Sequence, residues 1–391
     1  MVCCTQLGSV PEHAATISEL LNGRIDWELL LRSAHQHGIL PVLYSQLANA
    51  FSSSVPEGIL RRLETISGTI GRRNLFFTGE LLRLQGLFQR NGIRAIAFKG
   101  PALAASIYGN VAVREFSDLD FLMPRDQVFR AAQLLTKQKF VSEFAPTGAT
   151  QERFLKTQCE MVLTRETGTI LVELHWAIAP RYFGINFRLD PIWERYNELP
   201  RDGLGFPTLP LEHLFLALTI HGIKHCWERL VWIRDIAQVL RTYPDLDWDL
   251  IQSASRSLGT LRVVHLAGAL ARDIFQVSLP AEIGKSISRD KALRNLRSEV
   301  LAALEPRAKH VRKLDVLRFH LTARERFWDR IRYLLRLVLT TTPEDWKVLK
   351  FPRGLCSLYY VLRPARLAGK YTCWVLAPLI RYKRAICPAR P

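Results

Sequence analysis

The sequence contains no uninterrupted apolar run of about 18 residues, the minimum for a membrane-spanning helix. The best candidate, Tyr371–Ile380, is too short to cross a bilayer and is flanked by Lys370 and Arg381. Met1–Glu12 has neither a basic head nor a long apolar segment, so the sequence predicts no secretory signal. We therefore expect a cytoplasmic protein without a transmembrane segment.

Paired cysteine motifs are also missing. The seven cysteines are scattered, and none belongs to a C-x-x-C pair. This pattern argues against a disulfide framework and against a zinc site, and it favours reduced thiols. The sequence also lacks internal repeats and the signatures of common RNA-binding modules.

Acidic residues are scarce relative to basic ones. The chain has 36 Asp and Glu against 54 Lys and Arg, a formal net charge of +18. Residues 301–391 alone hold 20 Lys and Arg and only 6 Asp and Glu, so most of the excess lies there. Such a region attracts phosphates, nucleic acid or an anionic membrane surface, and it can equally be a solvated helical exterior.

Aromatic residues alternate with arginines in the same region. They are Tyr359, Tyr360, Tyr371, Trp374 and Tyr382. This alternation suits stacking on RNA or contact with a membrane surface. A basic exterior over an aromatic core is the simpler interpretation, and the three alternatives stay open at this point.

The succession of helical and strand patterns predicts an α+β fold with a small mixed sheet between helical regions. We divide the chain into a helical region at 1–91, an α/β core at 92–200, a second helical domain at 201–300 and the basic, aromatic-rich region at 301–391. These boundaries follow changes in composition and periodicity.

Short apolar segments predict four strands in the core: Arg94–Phe98, Asp118–Leu122, Glu160–Thr164 and Thr169–His175. Two helices are predicted between the first three strands: Pro101–Ile107 and Gln127–Gln138. The last two strands flank the turn-rich Arg165–Gly168, which favours an antiparallel hairpin. The predicted sheet carries its helices on one side.

Acidic side chains interrupt two of these strands. Asp118 and Asp120 are two residues apart, so both project from the same face of a strand. Glu173 stands between Val172 and Leu174, where an unpartnered carboxylate is costly to bury. Neighbouring carboxylates repel unless a cation lies between them, and Mg²⁺ prefers such hard oxygen ligands. If the strands are adjacent, the three acids form a site for two Mg²⁺ ions, with Mn²⁺ as the alternative, and Glu173 serves as a ligand or as the general base.

A cationic turn precedes the aspartates. Gly100, in the Lys99–Gly100 turn, would let the backbone approach a phosphate, and the following helix would offer free N–H groups. Lys99 and Arg114 are candidate cations for a triphosphate. His175 lies on the same strand face as Glu173, which suits a role beside the metal or a supporting hydrogen bond. Each motif alone is weak evidence, and the prediction depends on their order along the chain.

Histidines cluster in the second helical domain. His213, His221 and His225 are spaced by eight and four residues, so they can share one helix face. A metal site is conceivable, but no third ligand is evident, and we favour histidines in the core or in hydrogen bonds. His221 or Asp235 is an alternative candidate for one wall of the cleft.

At these residues the sequence resembles the DNA polymerase β-type nucleotidyltransferases, and more narrowly a bacterial group of uncharacterised nucleotidyltransferase family proteins. The matching motifs are Lys99–Gly100, Arg114, Asp118–Asp120, Glu173–Trp176, His221 with Trp232–Asp235, Thr342–Trp346 and Tyr359–Leu367. The resemblance implies a polymerase β-like core and a nucleoside triphosphate as co-substrate. The chain departs from the wider superfamily in having Lys99-Gly100-Pro101 where Gly-Ser or Gly-Gly is usual.

Together the residues and the resemblance predict transfer of a nucleoside monophosphate from an NTP to an acceptor hydroxyl, with release of pyrophosphate. The acceptor is a small molecule, a sugar or a protein. The helical domain at 201–300 would form the side of the active-site cleft that binds this acceptor. One alternative is an antitoxin-like enzyme that modifies a partner protein. Another is a non-catalytic scaffold that binds nucleotide or RNA.

Overall fold

The computed structural model describes residues 11–305, 313–348, 358–360 and 362–367. The fold is α+β, as predicted, with one small mixed sheet among many helices. Cys159 and Cys226 are free thiols. Several residues on which the sequence predictions rest lie outside the described ranges: Cys3, Cys4, Cys356, Cys373 and Cys387, the segment Tyr371–Ile380 with Lys370 and Arg381, and Tyr382.

Four helices precede the sheet. They are α1 (Pro11–Asn22), α2 (Trp27–His37), α3 (Leu40–Ala50) and α4 (Glu57–Arg90). Helix α4 is continuous over 34 residues and ends where Gly92 adopts a φ of +64°, a conformation that glycine reaches without steric strain.

The sheet has five strands. They are β1 (Ile96–Ala97), β2 (Asp118–Leu122), β3 (Phe140–Val141), β4 (Glu160–Arg165) and β5 (Leu171–His175). Their order is β1-β2-β5-β4-β3, in which β2 and β5 are parallel and the other neighbours are antiparallel. The predicted hairpin is confirmed as β4 and β5, and β1 is shorter than predicted.

Three helices connect the strands: α5 (Gly100–Tyr108), α6 (Val128–Lys137) and α7 (Ala149–Thr157). The first two were predicted, whereas α7 and the two-residue strand β3 were not. Leu119 and Leu174, on one face of the sheet, are fully buried in an apolar cluster with the second half of α4 and with α6. Acidic residues alternate with these apolar ones, so the opposite face carries the carboxylates.

Many further helices follow the sheet. They are α8 (Asp190–Glu194), α9 (Leu211–Lys224), α10 (Leu230–Thr242), α11 (Trp248–Leu258), α12 (Leu261–Phe275), α13 (Ala281–Arg289), α14 (Lys291–Ala303), α15 (Lys313–Ala323), α16 (Phe327–Leu339) and α17 (Pro343–Val348). None of the described helices combines the length and apolar character needed to cross a membrane.

The N-terminal helices share a core with the helices after the sheet. One apolar cluster includes Leu43 of α3, Leu63 of α4 and Leu266 of α12. Further along α4, Leu84 belongs instead to the cluster beneath the sheet, so this helix joins the two cores. The domain boundaries drawn from the sequence stay a prediction.

Candidate active site

The pairing of β2 with β5 positions the acidic side chains. Asp120 lies directly opposite Glu173 in the parallel register, and Asp118 lies opposite Leu171. Between them, Leu119 and Val172 point to the buried face and fix which side chains reach the other face. One carboxylate oxygen each from Asp120 and Glu173 and a ring nitrogen of His175 lie within 4.8 Å of one another, so these groups are able to hold a metal ion.

Gly100 sets the turn after β1 for a steric reason. Its φ is +55°, and a Cβ added there would lie 3.1 Å from the carbonyl oxygen of Asp118. The sequence predicted that Gly100 allows close approach of a phosphate. That role stays a prediction, and the structure adds a close approach to the backbone of β2, which fixes the start of α5 against the acidic strand.

Lys99, just before this glycine, forms an ion pair inside the site. Its Nζ lies 2.6 Å from Oδ1 of Asp120, and both side chains are almost completely buried. Burial alone would lower the pKa of Lys99, but the carboxylates of Asp120, Asp118 and Glu173 outweigh it and raise that pKa. Lys99 therefore supplies positive charge between the acids.

His175 links the two central carboxylates. Its Nε2 lies 3.0 Å from Oδ1 of Asp120 and 3.1 Å from Oε2 of Glu173. Burial opposes protonation, yet the hydrogen bond to Asp120 and those to Cys159 and Glu173 raise the pKa of His175 well above its ordinary value. The imidazolium form donates its Nε2–H to the two carboxylates, and its positive charge offsets part of their negative charge.

The two aspartates have opposite electrostatic environments. Burial would raise the pKa of Asp120, but Lys99 and His175 hold it well below its usual range. Burial and the adjacent Asp120 raise the pKa of Asp118 to about 6. Asp118 lies outside the group of atoms within 4.8 Å, although it lines the same cavity. An added cation would thus stabilise the ionised form of Asp118.

Glu160 and Lys224 complete the charged cluster, and sequence reasoning missed both. Glu160 lies opposite His175 in the hairpin register, and its Oε2 is 3.4 Å from Nδ1 of that ring, in poor alignment for a hydrogen bond. Lys224, at the end of α9, places its Nζ 3.5 Å from the same oxygen. Burial favours the protonated acid, but His175 and Lys224 lower the pKa of Glu160 to about 2. The predicted hairpin could have identified Glu160, because it places the first residue of β4 opposite His175. No local pattern identified Lys224.

Arg114 and Asp235, both singled out from the sequence, bind each other. Nε and Nη2 of Arg114 donate to the two carboxylate oxygens of Asp235 at 2.8 and 2.7 Å. The hydroxyl of Tyr108 also donates to Asp235, at 2.8 Å. This buried bidentate pair attaches the loop before β2 to α10, and Arg114 still lines the cavity.

The structure separates the three histidines. The rings of His221 and His225 are 4.8 Å apart, pack against Trp232 and line the cavity. Burial, followed by the charge of Lys224, lowers the pKa of His225 to about 4, so this ring is neutral near pH 7. His213 lies away from the cavity, against Phe187.

A cavity of about 240 Å³ covers the acidic face. Asp118, Asp120, Glu160 and Glu173 lie on the sheet side, and α9 and α10 close the other side. Cationic side chains line it as well: Lys99, Arg114, Lys224 and Arg229. The volume lies below the roughly 300 Å³ at which ligand pockets begin, so it suits the phosphate end of a larger ligand.

A family model described as an uncharacterised nucleotidyltransferase matches residues 23–276. The chain belongs to this nucleotidyltransferase family. The matched range contains both acidic strands, the Lys99–Gly100 turn and the helices that close the cavity, and it ends before the basic region at 301–391. Comparisons with curated proteins and with solved structures found no match.

Membership of a nucleotidyltransferase family gives the acidic cluster a chemical context. Nucleotidyltransferases generally use divalent metals, and the carboxylates of Asp120 and Glu173, which are grouped with His175, form a possible metal site. Carboxylate oxygens are suitable ligands for Mg²⁺ or Mn²⁺. The ammonium of Lys99 lies beside the same carboxylates and forms an ion pair with Asp120. The donor set therefore fits a divalent cation bound together with an anionic substrate.

Proposed function

We propose that the protein transfers a nucleoside monophosphate from an NTP to an acceptor hydroxyl and releases pyrophosphate. The observation that carries this proposal is the register of β2 and β5, which sets Asp120 opposite Glu173 at the wall of a cavity that also contains cations. Family membership supports the reaction class.

Asp118, Asp120 and Glu173 would hold the metal. When bound, a divalent cation neutralises phosphate charge and acidifies an attacking hydroxyl. Lys99 is held beside Asp120 and can move its ammonium to a phosphate oxygen once another cation neutralises that carboxylate. His175 orients the carboxylates of Asp120 and Glu173 through Nε2, a supporting hydrogen bond of the kind that fixes ligand geometry.

The helices opposite the sheet supply the remaining charge. Lys224 and Arg229 face the cavity from α9 and from the residue just before α10, where they can bind the pyrophosphate portion. In the transfer, the acceptor hydroxyl loses its proton to Glu173 or to solvent, and its oxygen forms a bond to the α-phosphorus while the bond from that phosphorus to the pyrophosphate oxygen breaks. Because α9 and α10 cover the carboxylates and reduce their exposure, each of these charges acts more strongly than at an exposed surface.

Labelled NTPs test this proposal directly. Each of the four α-³²P-labelled NTPs is incubated with the protein, Mg²⁺ and a small-molecule extract, and labelled products are separated. We expect D118N and E173Q to reduce product formation by about 100-fold or more. Asp126 is exposed, just beyond β2 and outside the cavity, so D126N is the matched control.

Binding measurements separate catalysis from a scaffold function. The proposed site predicts that ATP binding to the wild type requires Mg²⁺ and is weakened in E173Q, whereas D126N binds normally. Nucleotide binding that is indifferent to Mg²⁺, together with undiminished label transfer in D118N, would contradict the proposal.

A further inference from the structure

Helix α16 exposes a stripe of large apolar side chains. Phe327 is 64% exposed, Trp328 71% and Leu335 56%, and Val338 and Leu339 extend the stripe by one turn. Leu335 follows Trp328 by seven residues, and Val338 and Leu339 follow Leu335 by three and four, so these side chains lie on one face of the helix. An apolar face of this length on a protein surface indicates an interaction site.

The opposite face fixes α16 to the fold. Tyr333 is buried, and its hydroxyl lies 3.0 Å from Nδ1 of the buried His320. Its ring also packs against Phe183. Because this side is anchored, the stripe remains directed outward.

Cationic side chains border the stripe. Arg336 and Arg181 line a cavity of about 430 Å³ together with Leu335 and Leu339 of the stripe. Arg332, one turn before Arg336 and 55% exposed, adds a third guanidinium, which also forms an ion pair with Asp329 at 3.2 Å. Burial, followed by the like charges of Arg181 and Arg332, lowers the pKa of Arg336. Within the described ranges neither Arg181 nor Arg336 has a carboxylate within ion-pair distance.

The segments outside the described ranges contain no acidic side chain that could pair with Arg181 or Arg336. The residues outside the described ranges include ten Lys and Arg and no Asp or Glu. The charges of Arg181 and Arg336 are therefore available to a negative group on another molecule. Apolar side chains flanked by arginines are the signature of a helix that lies in the interface of an anionic membrane.

We propose that the stripe of α16, with Arg181, Arg332 and Arg336, is a docking face for an anionic lipid surface. The face goes beyond the proposed catalytic function and lies outside the cavity of the carboxylates. Leu335, Val338 and Leu339 are aliphatic and suit acyl chains better than stacked bases, and Phe327 and Trp328 are side chains that occur with leucine on the apolar face of helices at lipid interfaces. A second copy of the chain bears the same arginines, so a symmetric pair would bring like charges together.

Vesicle flotation with the full-length protein tests the proposal. One set of vesicles is phosphatidylcholine alone, and in the other about a third of the lipid is phosphatidylglycerol. We expect flotation with the anionic vesicles only, and a decrease as salt screens the arginines. Absence of flotation with either set would overturn the proposal.

Matched variants identify the contact face. The double variant W328S/L335S should lower lipid affinity by more than about tenfold, because both side chains lose apolar contact with the lipid. Its control is L75S/F76S on α4, which removes two apolar side chains of similar exposure, 63% and 52%. Equal flotation of both double variants would exclude the stripe as the contact.

Charge variants test the arginines separately. R332Q/R336Q should lose affinity for anionic vesicles, whereas R61Q/R62Q, which removes two exposed charges from α4, should not. If W328S/L335S changes the mass of the protein in solution while the wild type fails to float, the face is a self-association surface and the lipid proposal is wrong. Flotation is read without NTP, so a failure of the catalytic proposal leaves this result unaffected.

Discussion

Replacing Asp118 by Asn should stabilise the metal-free protein even though it removes a proposed catalytic residue. Burial and the charge of Asp120 raise the pKa of Asp118 from its ordinary 3.8 to about 6. The folded state therefore binds a proton more tightly than the unfolded state, and wild-type stability falls as the pH rises between these two values. Asparagine has nearly the same shape and no charge, so the variant avoids this loss.

The magnitude follows from the shift in pKa. A change of roughly two units corresponds to on the order of 3 kcal/mol at about pH 8, where the carboxylate is ionised in both states. At about pH 5 the wild-type group is mostly protonated when folded, and the advantage of D118N should shrink to roughly half. Mg²⁺ that binds Asp118 should raise the melting temperature of the wild type more than that of D118N.

Urea denaturation in EDTA at the two pH values measures this difference, with D126N as an exposed control. The expected result is a higher free energy of unfolding for D118N, most of all at the higher pH. If D118N is less stable than the wild type at pH 8, or if its advantage grows as the pH falls, the assigned electrostatic environment is wrong.

Three further substitutions test the surroundings of the site. D120N should destabilise the protein by about 3–5 kcal/mol, because it leaves the buried Lys99 without its carboxylate. An unchanged free energy of unfolding in chemical denaturation would show that the ion pair does not form. R114K should lower stability by roughly 2 kcal/mol, since lysine cannot make the bidentate contact with Asp235, and an unchanged melting temperature would argue against that contact. G100A should lower the free energy of unfolding by roughly 1–2 kcal/mol, because φ is positive at this position and the new methyl group would lie 3.1 Å from a carbonyl oxygen. An unchanged free energy of unfolding would show that the turn does not require glycine.

Much of the sheet was predictable because its signals are local. The alternation of Asp118 and Asp120 with apolar neighbours predicted β2 with its observed bounds. The turn-rich Arg165–Gly168 predicted the hairpin of β4 and β5. The sequence predicted a shared site only if β2 and β5 are adjacent. The structure shows that they are, with Asp120 opposite Glu173.

Contacts between distant elements escaped prediction. The ion pair of Arg114 with Asp235 joins residues 121 positions apart, and it depends on how α10 packs near β2. Lys224 reaches Glu160 from the end of α9 for the same reason. No periodic pattern encodes such pairs, because each requires the packed helices before the side chains meet.

The electrostatic roles were also beyond the sequence. The predicted contact of Lys99 with phosphate stays a prediction, and the structure adds an ion pair between its ammonium and Asp120. His175 was predicted to lie beside the metal or to form a supporting hydrogen bond, and it bonds two carboxylates at once. Its charge state follows from burial and from the neighbouring acids, which only the three-dimensional arrangement supplies.

Anomalous diffraction from crystals grown with Mn²⁺ and a non-hydrolysable NTP analogue tests the central claim most directly. We predict a Mn²⁺ peak within about 2.5 Å of the carboxylates of Asp120 and Glu173, next to the triphosphate, and displacement of Lys99 from Asp120. A nucleotide bound elsewhere, or a cavity in which Lys99 keeps its ion pair and no Mn²⁺ signal appears, would contradict the account.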